Sequence, residues 1–362
     1  MARAAKRAGR RIKQNLFSRL PSDTISDILL RLPAKYVLRA GAVCKAWRSV
    51  TTEPSFLAAH ARLQPAQVVL YTYMDVGCYQ MALDVVPVSP ADDEAARRCL
   101  LHYPRIRSLL LLASCNGVLL FRKSEGCILL CNPTTRQWAQ LPQLSREPRS
   151  LHGARSWFIL ATGAAEPRQV NMLAETSLTN SLATAPPLAL NGRLHWPPSQ
   201  TTATEMLVFD TLSEMFHQMA GPPTATAGMA KLFDMEGLLA AADFGNEKHV
   251  GLWFLEDYNA GRWERRHRVA AAWQPTIYRE PPRKASGLVR VAAAADGEGN
   301  IVLGSHIWFE VYNVRTRTAR TVNLTAPNML MVSRHVFSES LVRHSSFATR
   351  SAADLGVTFS WA

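Results

Sequence analysis

The chain has 362 residues, 48% of them hydrophobic, and a formal net charge of +13. That much apolar material predicts one small and one large domain and excludes disorder over the whole length. Residues 1–64 hold 13 Lys/Arg against 3 Asp/Glu, while the rest of the chain carries 28 basic and 25 acidic residues, so the larger part is nearly neutral and lacks the broad basic footprint of a nucleic-acid binder.

The first 19 residues contain Arg3, Lys6, Arg7, Arg10, Arg11, Lys13 and Arg19 and no acid. A solvated tail, a nuclear-import patch, an organelle transit peptide and a nucleic-acid arm all fit such a run, and the apolar core of a secretory signal is missing. From Leu20 the pattern becomes that of short amphipathic helices. After Pro21, Ser22, Asp23 and Thr24 offer capping chemistry, and Ile25, Ile28, Leu29 and Leu32 follow at i, i+3, i+4 and i+7 until Pro33 ends the helix. A second short helix carries Val37 and Leu38, Gly41 permits a turn, and a third places Val43, Trp47 and Val50 on one face before Thr51, Thr52 and Pro54 break it. Three helices in so short a stretch cannot cover all of these side chains among themselves, so apolar surface should be left for a partner.

The strings Leu20-Pro21-Ser22-Asp23, Ile28-Leu29-Leu30-Arg31-Leu32-Pro33-Ala34-Lys35 and Val43-Cys44-Lys45-Ala46-Trp47-Arg48, occurring in that order, resemble the F-box family, and the likeness extends through Pro54-Ser55-Phe56 and His60. The resemblance implies that the helices dock into an SKP-type adaptor that bridges to a cullin scaffold. It assigns adaptor contacts to Leu20, Pro21, Ile28, Leu29, Leu32, Pro33, Leu38, Val43, Cys44 and Trp47.

Beyond about residue 66, short apolar segments are separated by Asn, Gly, Pro and Asp, the pattern of an all-β domain. One unit recurs. A turn and apolar strand (Asn116-Gly117-Val118-Leu119-Leu120, Asn191-Gly192-Arg193-Leu194-His195-Trp196, Glu236-Gly237-Leu238-Leu239, Gly299-Asn300-Ile301-Val302-Leu303) precede a second strand that ends in an Asn/Asp turn, at Asn132, Asp210, Asp257 and Asn313. Asn, Asp and Gly supply hairpin turns, and an aromatic shortly afterwards, Trp138, Phe216 or Trp263, packs the next strand on its neighbour. The spacing of the glycines predicts a β-propeller-like array of five or six blades, with Val68–Val86 contributing one and the wide gap between Gly117 and Gly192 holding a degenerate one.

The strings Ser114-Cys115-Asn116-Gly117, Cys131-Asn132-Pro133-Thr134-Thr135-Arg136, Asn191-Gly192-Arg193-Leu194-His195-Trp196 and Leu252-Trp253-Phe254-Leu255-Glu256-Asp257-Tyr258 resemble the F-box-associated domain of plant F-box proteins. Arg149–Pro187, rich in Ala, Thr and Pro, departs from that family's pattern and predicts a damaged blade.

No nucleophile elbow, phosphate loop, dinucleotide fingerprint or zinc-protease helix occurs, and none of the six cysteines (Cys44, Cys78, Cys99, Cys115, Cys127, Cys131) forms a C-x2-C pair. No metal, cofactor or catalytic residue is expected. Cys127 and Cys131 read as buried reduced thiols, which predicts a reducing compartment, nucleus and/or cytoplasm. His195 is expected to be a structural ring, and Asp210 and Asp257 turn formers rather than a catalytic pair. The cluster Arg262, Arg265, Arg266, His267 and Arg268, interrupted by Glu264, fits either a local anion or partner site or a solvated edge that discourages sheet-to-sheet pairing. The longest apolar run, Leu109–Ala113, is strand-sized, so no membrane partner is expected either.

The expected organisation is a basic tail (1–19), a three-helix F-box motif (20–62), a β-rich recognition domain (66–345) and a C-terminal tail (346–362). The resemblance implies a non-catalytic substrate receptor of a ubiquitin ligase; the charge and apolar helical face before residue 65, against turn repeats after it, predict that adaptor binding and target binding are separable. The alternative is a ligand- or glycan-binding propeller with a vestigial F-box. The target protein is not legible in the sequence.

Overall fold

The structure is a computed structural model that describes residues 20–73, 81–88, 97–103, 109–123, 127–141, 157–159, 168–170, 187–198, 204–224, 228–246, 248–270, 290–294, 297–305, 308–322, 329–343 and 358–359. The basic stretch 1–19, Cys78 and nearly all of 142–186 lie outside these residues.

Four helices open the fold: α1 (Ser22–Leu30), α2 (Ala34–Ala40), α3 (Lys45–Thr52) and α4 (Pro54–Leu63). The expected third and last helix is followed by another because Pro54, read as a breaker, stands in the first turn of α4, where its missing N–H leaves nothing unpaired. The expected polar cap of α1 is also corrected. Pro21 holds the cap position without any side-chain hydrogen bond, and Asp23 acts from the first turn through its charge. Gly41 has ordinary right-handed helical angles, so it is there for space, since a Cβ would stand 3.2 Å from Thr51 Oγ1 on α3.

The remainder is a five-bladed β-propeller. The first blade takes β1 (Gln67–Tyr73), β2 (Met81–Pro87) and β3 (Arg98–Tyr103), and the second β4 (Leu109–Cys115), β5 (Val118–Lys123), β6 (Ile128–Asn132) and β7 (Gln137–Gln140). A two-stranded ladder, β8 (Trp157–Ile159) with β9 (Arg168–Val170), falls in the segment predicted to be a damaged blade. The third blade holds β10 (Leu188–Leu190), β11 (Arg193–Trp196), β12 (Glu205–Asp210) and β13 (Met215–Ala220). The fourth holds β14 (Ala230–Met235), β15 (Leu238–Asp243), β16 (His249–Asp257) and β17 (Arg262–Ala270), and the fifth β18 (Arg290–Ala294), β19 (Asn300–Ser305), β20 (Trp308–Asn313) and β21 (Thr318–Thr321). The chain then returns as β22 (Met329–Phe337), which pairs antiparallel with β1 and completes the first blade from its inner side, while β23 (Thr358–Phe359) extends that blade beyond β3. First and last strands thus share a blade, which ties the two ends of the domain together without leaving an inner edge unpaired.

The repeat that the sequence displays has one stereochemical cause. At Asn116-Gly117, Asn191-Gly192 and Glu236-Gly237 both residues have positive φ, which lets a two-residue loop follow the twist of the flanking strands. At the second turn of each unit, an Asn or Asp side chain accepts the N–H groups two and three residues ahead: Asn132 from Thr134 and Thr135, Asp210 from Leu212 and Ser213, Asp257 from Asn259 and Ala260, Asn313 from Arg315 and Thr316. The fourth residue after each is left-handed, at Arg136, Glu214, Gly261 and Arg317. Asp210, held down at about 2 first by the Ser213 and Leu212 N–H groups and then by Arg193, is a turn former, as expected.

Apolar side chains collect between the blades. Leu83, Leu101, Leu119, Phe121 and Trp138 fill the space between the first two, and Phe233, Ala240, Leu252, Phe254, Ile301 and Leu303 that between the fourth and fifth. His195, on β11, is fully buried among the third and fourth blades. Its ring nitrogens meet the Tyr258 hydroxyl at 3.0 Å and the Leu188 carbonyl at 3.4 Å, and burial above all lowers its pKa to about 4. Arg193 stacks on Tyr258 and pairs with Asp210, so the ring is structural.

Candidate adaptor interface

The helical module is small, and its side chains divide sharply. Ile25, Leu29, Ala34, Val37, Ala40 and Phe56 form its buried core, with Leu30, Leu32, Leu38, Trp47, Val50 and Leu57 packed around them. His60 of α4 stacks on Phe56 and donates from Nε2 to the Leu32 carbonyl at 2.9 Å, pinning the last helix to the end of the first.

Of the residues assigned to adaptor binding, Leu20, Ile28 and Val43 are exposed, with Ile28 half exposed and Val43 at 67%. Pro21 and Pro33, at the entries of α1 and α2, and Cys44 are exposed too. Leu32, Leu38 and Trp47 are half-buried, each resting on the core while keeping an outer edge. Leu29 departs from the assignment. At 1% exposure it belongs to the module's own core, because a residue one step from Ile28 on a helix points about 100° away. Tyr36, half exposed beneath the Arg39 guanidinium, was not among the residues singled out, although it stands between the core positions Ala34 and Val37, where a helix turns outward.

The entry to α3 is fixed by local hydrogen bonds. Cys44 accepts the Trp47 N–H on its sulfur at 3.4 Å, and Arg48 Nε donates to the Gly41 carbonyl at 3.0 Å. These bonds hold Val43 and Trp47 on a defined turn. Covering exposed apolar side chains of this kind stabilises an interface by roughly 1.5–3 kcal/mol each.

The module does not stand alone. Residues 338–343, which follow β22, run back across the first two blades to the helices, and Leu341, 4% exposed, completes the module's core beside Ile25, Leu29 and Phe56. This strap is held on both sides of its path. Asn132 Nδ2 donates to the carbonyls of Ser340 and Val342, both at 3.0 Å, and Arg98 pairs with Glu339 at 2.6 Å. Gly117 gives it room, since a Cβ there would run into the Ser340 Cβ. The helical and β parts therefore share one core through Leu341. The sequence marks Asn132 as a turn residue only, and nothing in the periodicity of 338–343 marks Leu341 as packing on helices at the other end of the chain.

Among the described residues no group of three or more His, Cys, Asp or Glu side chains could hold a metal ion, and no helix is long and apolar enough to cross a membrane. Cys127 and Cys131 are buried and unbridged, and burial pushes the Cys131 thiol up.

Residues 17–58 match the family model of the F-box domain. Over 282 residues the chain is 25% identical to a protein of Arabidopsis thaliana named as an F-box protein, covering 68% of this chain and 71% of that one. It is 23% identical over 137 residues to an F-box/kelch-repeat protein of the same plant, which covers 38% of this chain and 35% of the relative. Among solved structures, a chain of a nidogen/laminin complex is similar over 76% of this chain and 98% of its own length, with a TM-score of 0.46 and 10% identity. The matched stretch takes in α1, α2, α3 and the start of α4, so the chain carries an F-box domain followed by a five-bladed β-propeller and is similar to plant F-box proteins.

Proposed function

We propose that this chain is the target-recognition subunit of an SCF-type cullin ubiquitin ligase. Its F-box, taken as residues 20–62, binds an SKP-type adaptor, and its propeller, taken as 66–345, holds a protein to be ubiquitinated. The observation that carries this reading is the pairing of an F-box match with a helical module that turns Leu20, Ile28 and Val43 outward instead of spending them on its own packing. Leu20, Pro21, Ile28, Leu32, Pro33, Leu38, Val43, Cys44 and Trp47 supply the docking face, and Leu29 supports it from beneath.

Such a receptor contributes proximity rather than chemistry. It converts the encounter of a target lysine with a ubiquitin-charged enzyme into a reaction within one assembly, where a well-set geometry substitutes for high concentration. The strap from β22 to the F-box core suits this task, because a receptor that swivelled freely would dilute the effective concentration it exists to create. Assembly would take place in the nucleus and/or cytoplasm, where the reduced thiols at Cys127 and Cys131 would persist.

The test is co-purification of the full chain with a plant SKP-type adaptor. The wild-type chain should retain the adaptor, and a chain with Leu20→Ala, Pro21→Ala and Val43→Asp, all at exposed positions, should lose it while melting normally. An unchanged complex would rule out this docking face.

A further inference from the structure

The basic cluster on β17 acquires a counterpart in the fold that the sequence does not reveal. Between the fourth and fifth blades runs a groove of about 510 Å3, bordered along Arg266–Ala270 of β17 and by Glu310, Tyr312, Arg317 and Ala319 of the neighbouring blade. β17 is the last strand of its sheet and pairs only with β16 among the described residues, so a line of backbone N–H and C=O groups faces outward along its other edge.

The charges in the groove are unequally used. Arg266 is already paired with Glu256 and Glu264 and lies over the Phe254 ring. Arg268 donates to His249 Nδ1 at 3.2 Å, and among the described residues neither Arg268 nor Arg317 has a carboxylate within ion-pair distance. Glu310, in the groove, is 2% exposed; its Oε1 accepts from the Thr321 hydroxyl at 3.4 Å, and among the described residues its Oε2 meets no hydrogen-bond partner. Leaving such a group unmet in the interior is unfavourable, and an incoming N–H would relieve it.

We propose that this groove is a binding site for an extended, acidic peptide segment of a partner protein, its anionic side chains taken by Arg268 and Arg317 and one of its N–H groups by Glu310. The strand edge of β17 can pair with an extended backbone, and the small apolar walls Val269, Ala270 and Ala319 leave space for alternate side chains. A nucleic acid fits less well, because its phosphates would pass over the Glu310 carboxyl. The proposal rests on the recognition role above and names the class of segment recognised.

The probe is a fluorescein-labelled peptide of alternating Glu and Ala, eight residues long, with a Lys/Ala peptide as its counterpart, measured by fluorescence polarisation against the full chain. The acidic probe should bind, weaken as salt is raised, and resist displacement by inorganic phosphate at the concentration of unlabelled peptide that displaces it. Arg268→Glu combined with Arg317→Glu, both on the surface, should weaken it by roughly tenfold or more. Glu310→Leu should weaken it as well, while Glu310→Gln, which keeps an acceptor, should retain it. Equal binding of the Lys/Ala peptide, equal displacement by phosphate, or indifference to the arginine reversal would overturn the proposal. Because binding is read without the adaptor, loss of adaptor binding with peptide binding intact defeats only the ligase reading, and the converse defeats only the groove.

Discussion

The F-box module and the fourth blade meet the problem of burying apolar surface in opposite ways. The fourth blade closes its core with its own strands and those of its neighbours: Phe233, Ala240, Ala242, Val250, Leu252 and Phe254 are all buried within or against a sheet of the same kind. The module's four short helices bury six apolar side chains and then borrow Leu341 from the far end of the chain. A repeated unit stacks on copies of itself and so distributes its stability, whereas a single small bundle sits near the lower limit of what can fold alone. The module's integrity is thereby tied to closure of the ring, since the strand that completes the first blade leads directly into the strap.

The sharpest way to break that difference is Gly117→Val. The residue has φ of +77°, which a β-branched side chain tolerates poorly, and its new Cβ would strike the Ser340 Cβ and displace the strap. A cost on the order of 4 kcal/mol is expected. Hydrogen exchange should show the amides of α1 and α4 losing protection along with the second blade, while those of β16 keep theirs. If α1 and α4 are as well protected as before, the strap does not support the module.

Leu341→Ala isolates the shared core from the turn. Removing a buried leucine costs about 3 kcal/mol, and the loss should appear in the helices although the mutation lies in the strap after β22. Urea unfolding followed by helical circular dichroism and by tryptophan fluorescence would then separate, the helical signal moving to lower urea.

Acid should act on the blades, through His195. His195 takes its proton at about 4 in the folded chain and near 6.5 when unfolded, so as the pH falls through 6.5 the unfolded state binds the proton first and the fold loses stability until about pH 4. The loss is at most about 3 kcal/mol. Comparing urea midpoints of the wild type and His195→Gln at pH 7 and pH 4.5 isolates it. The variant should lose less on acidification, and an equal loss in both would show that the ring does not titrate as its burial demands.

What could be read in the sequence follows the range of the interactions involved. The helices, the propeller repeat and the turn-forming Asn and Asp residues come from periods and turn chemistry a few residues long. The same reasoning placed Asn132 at a turn, where its Oδ1 is indeed used, and missed that its Nδ2 holds the strap 208 and 210 residues later. Pro54 marks in sequence the end of one helix, and it also starts the next. The Arg262–Arg268 cluster was visible as charge, but its opposite wall at Glu310 and Arg317 comes from another blade. Resemblance to a family assigns both Ile28 and Leu29 to an adaptor contact and does not separate the exposed side chain from its buried neighbour.

That last distinction can be measured on two adjacent leucine-sized side chains. Ile28 is half exposed and Leu29 is at 1%, so the same change to alanine should act on different quantities. Leu29→Ala leaves a cavity in the module's core and should lower its stability by about 2–4 kcal/mol, weakening adaptor binding only as far as the module unfolds. Ile28→Ala removes little from the folded chain and should leave hydrogen exchange in α1 unchanged. Its effect belongs to the complex, where an apolar contact at the edge of an interface is worth about 1–2 kcal/mol, or a five- to thirtyfold rise in Kd for the adaptor. Titration calorimetry at a temperature where both variants are folded separates the two. A weakened complex for Leu29→Ala with Ile28→Ala unchanged would mean that α1 meets the adaptor with its other face, and that Leu341 covers the surface the adaptor needs.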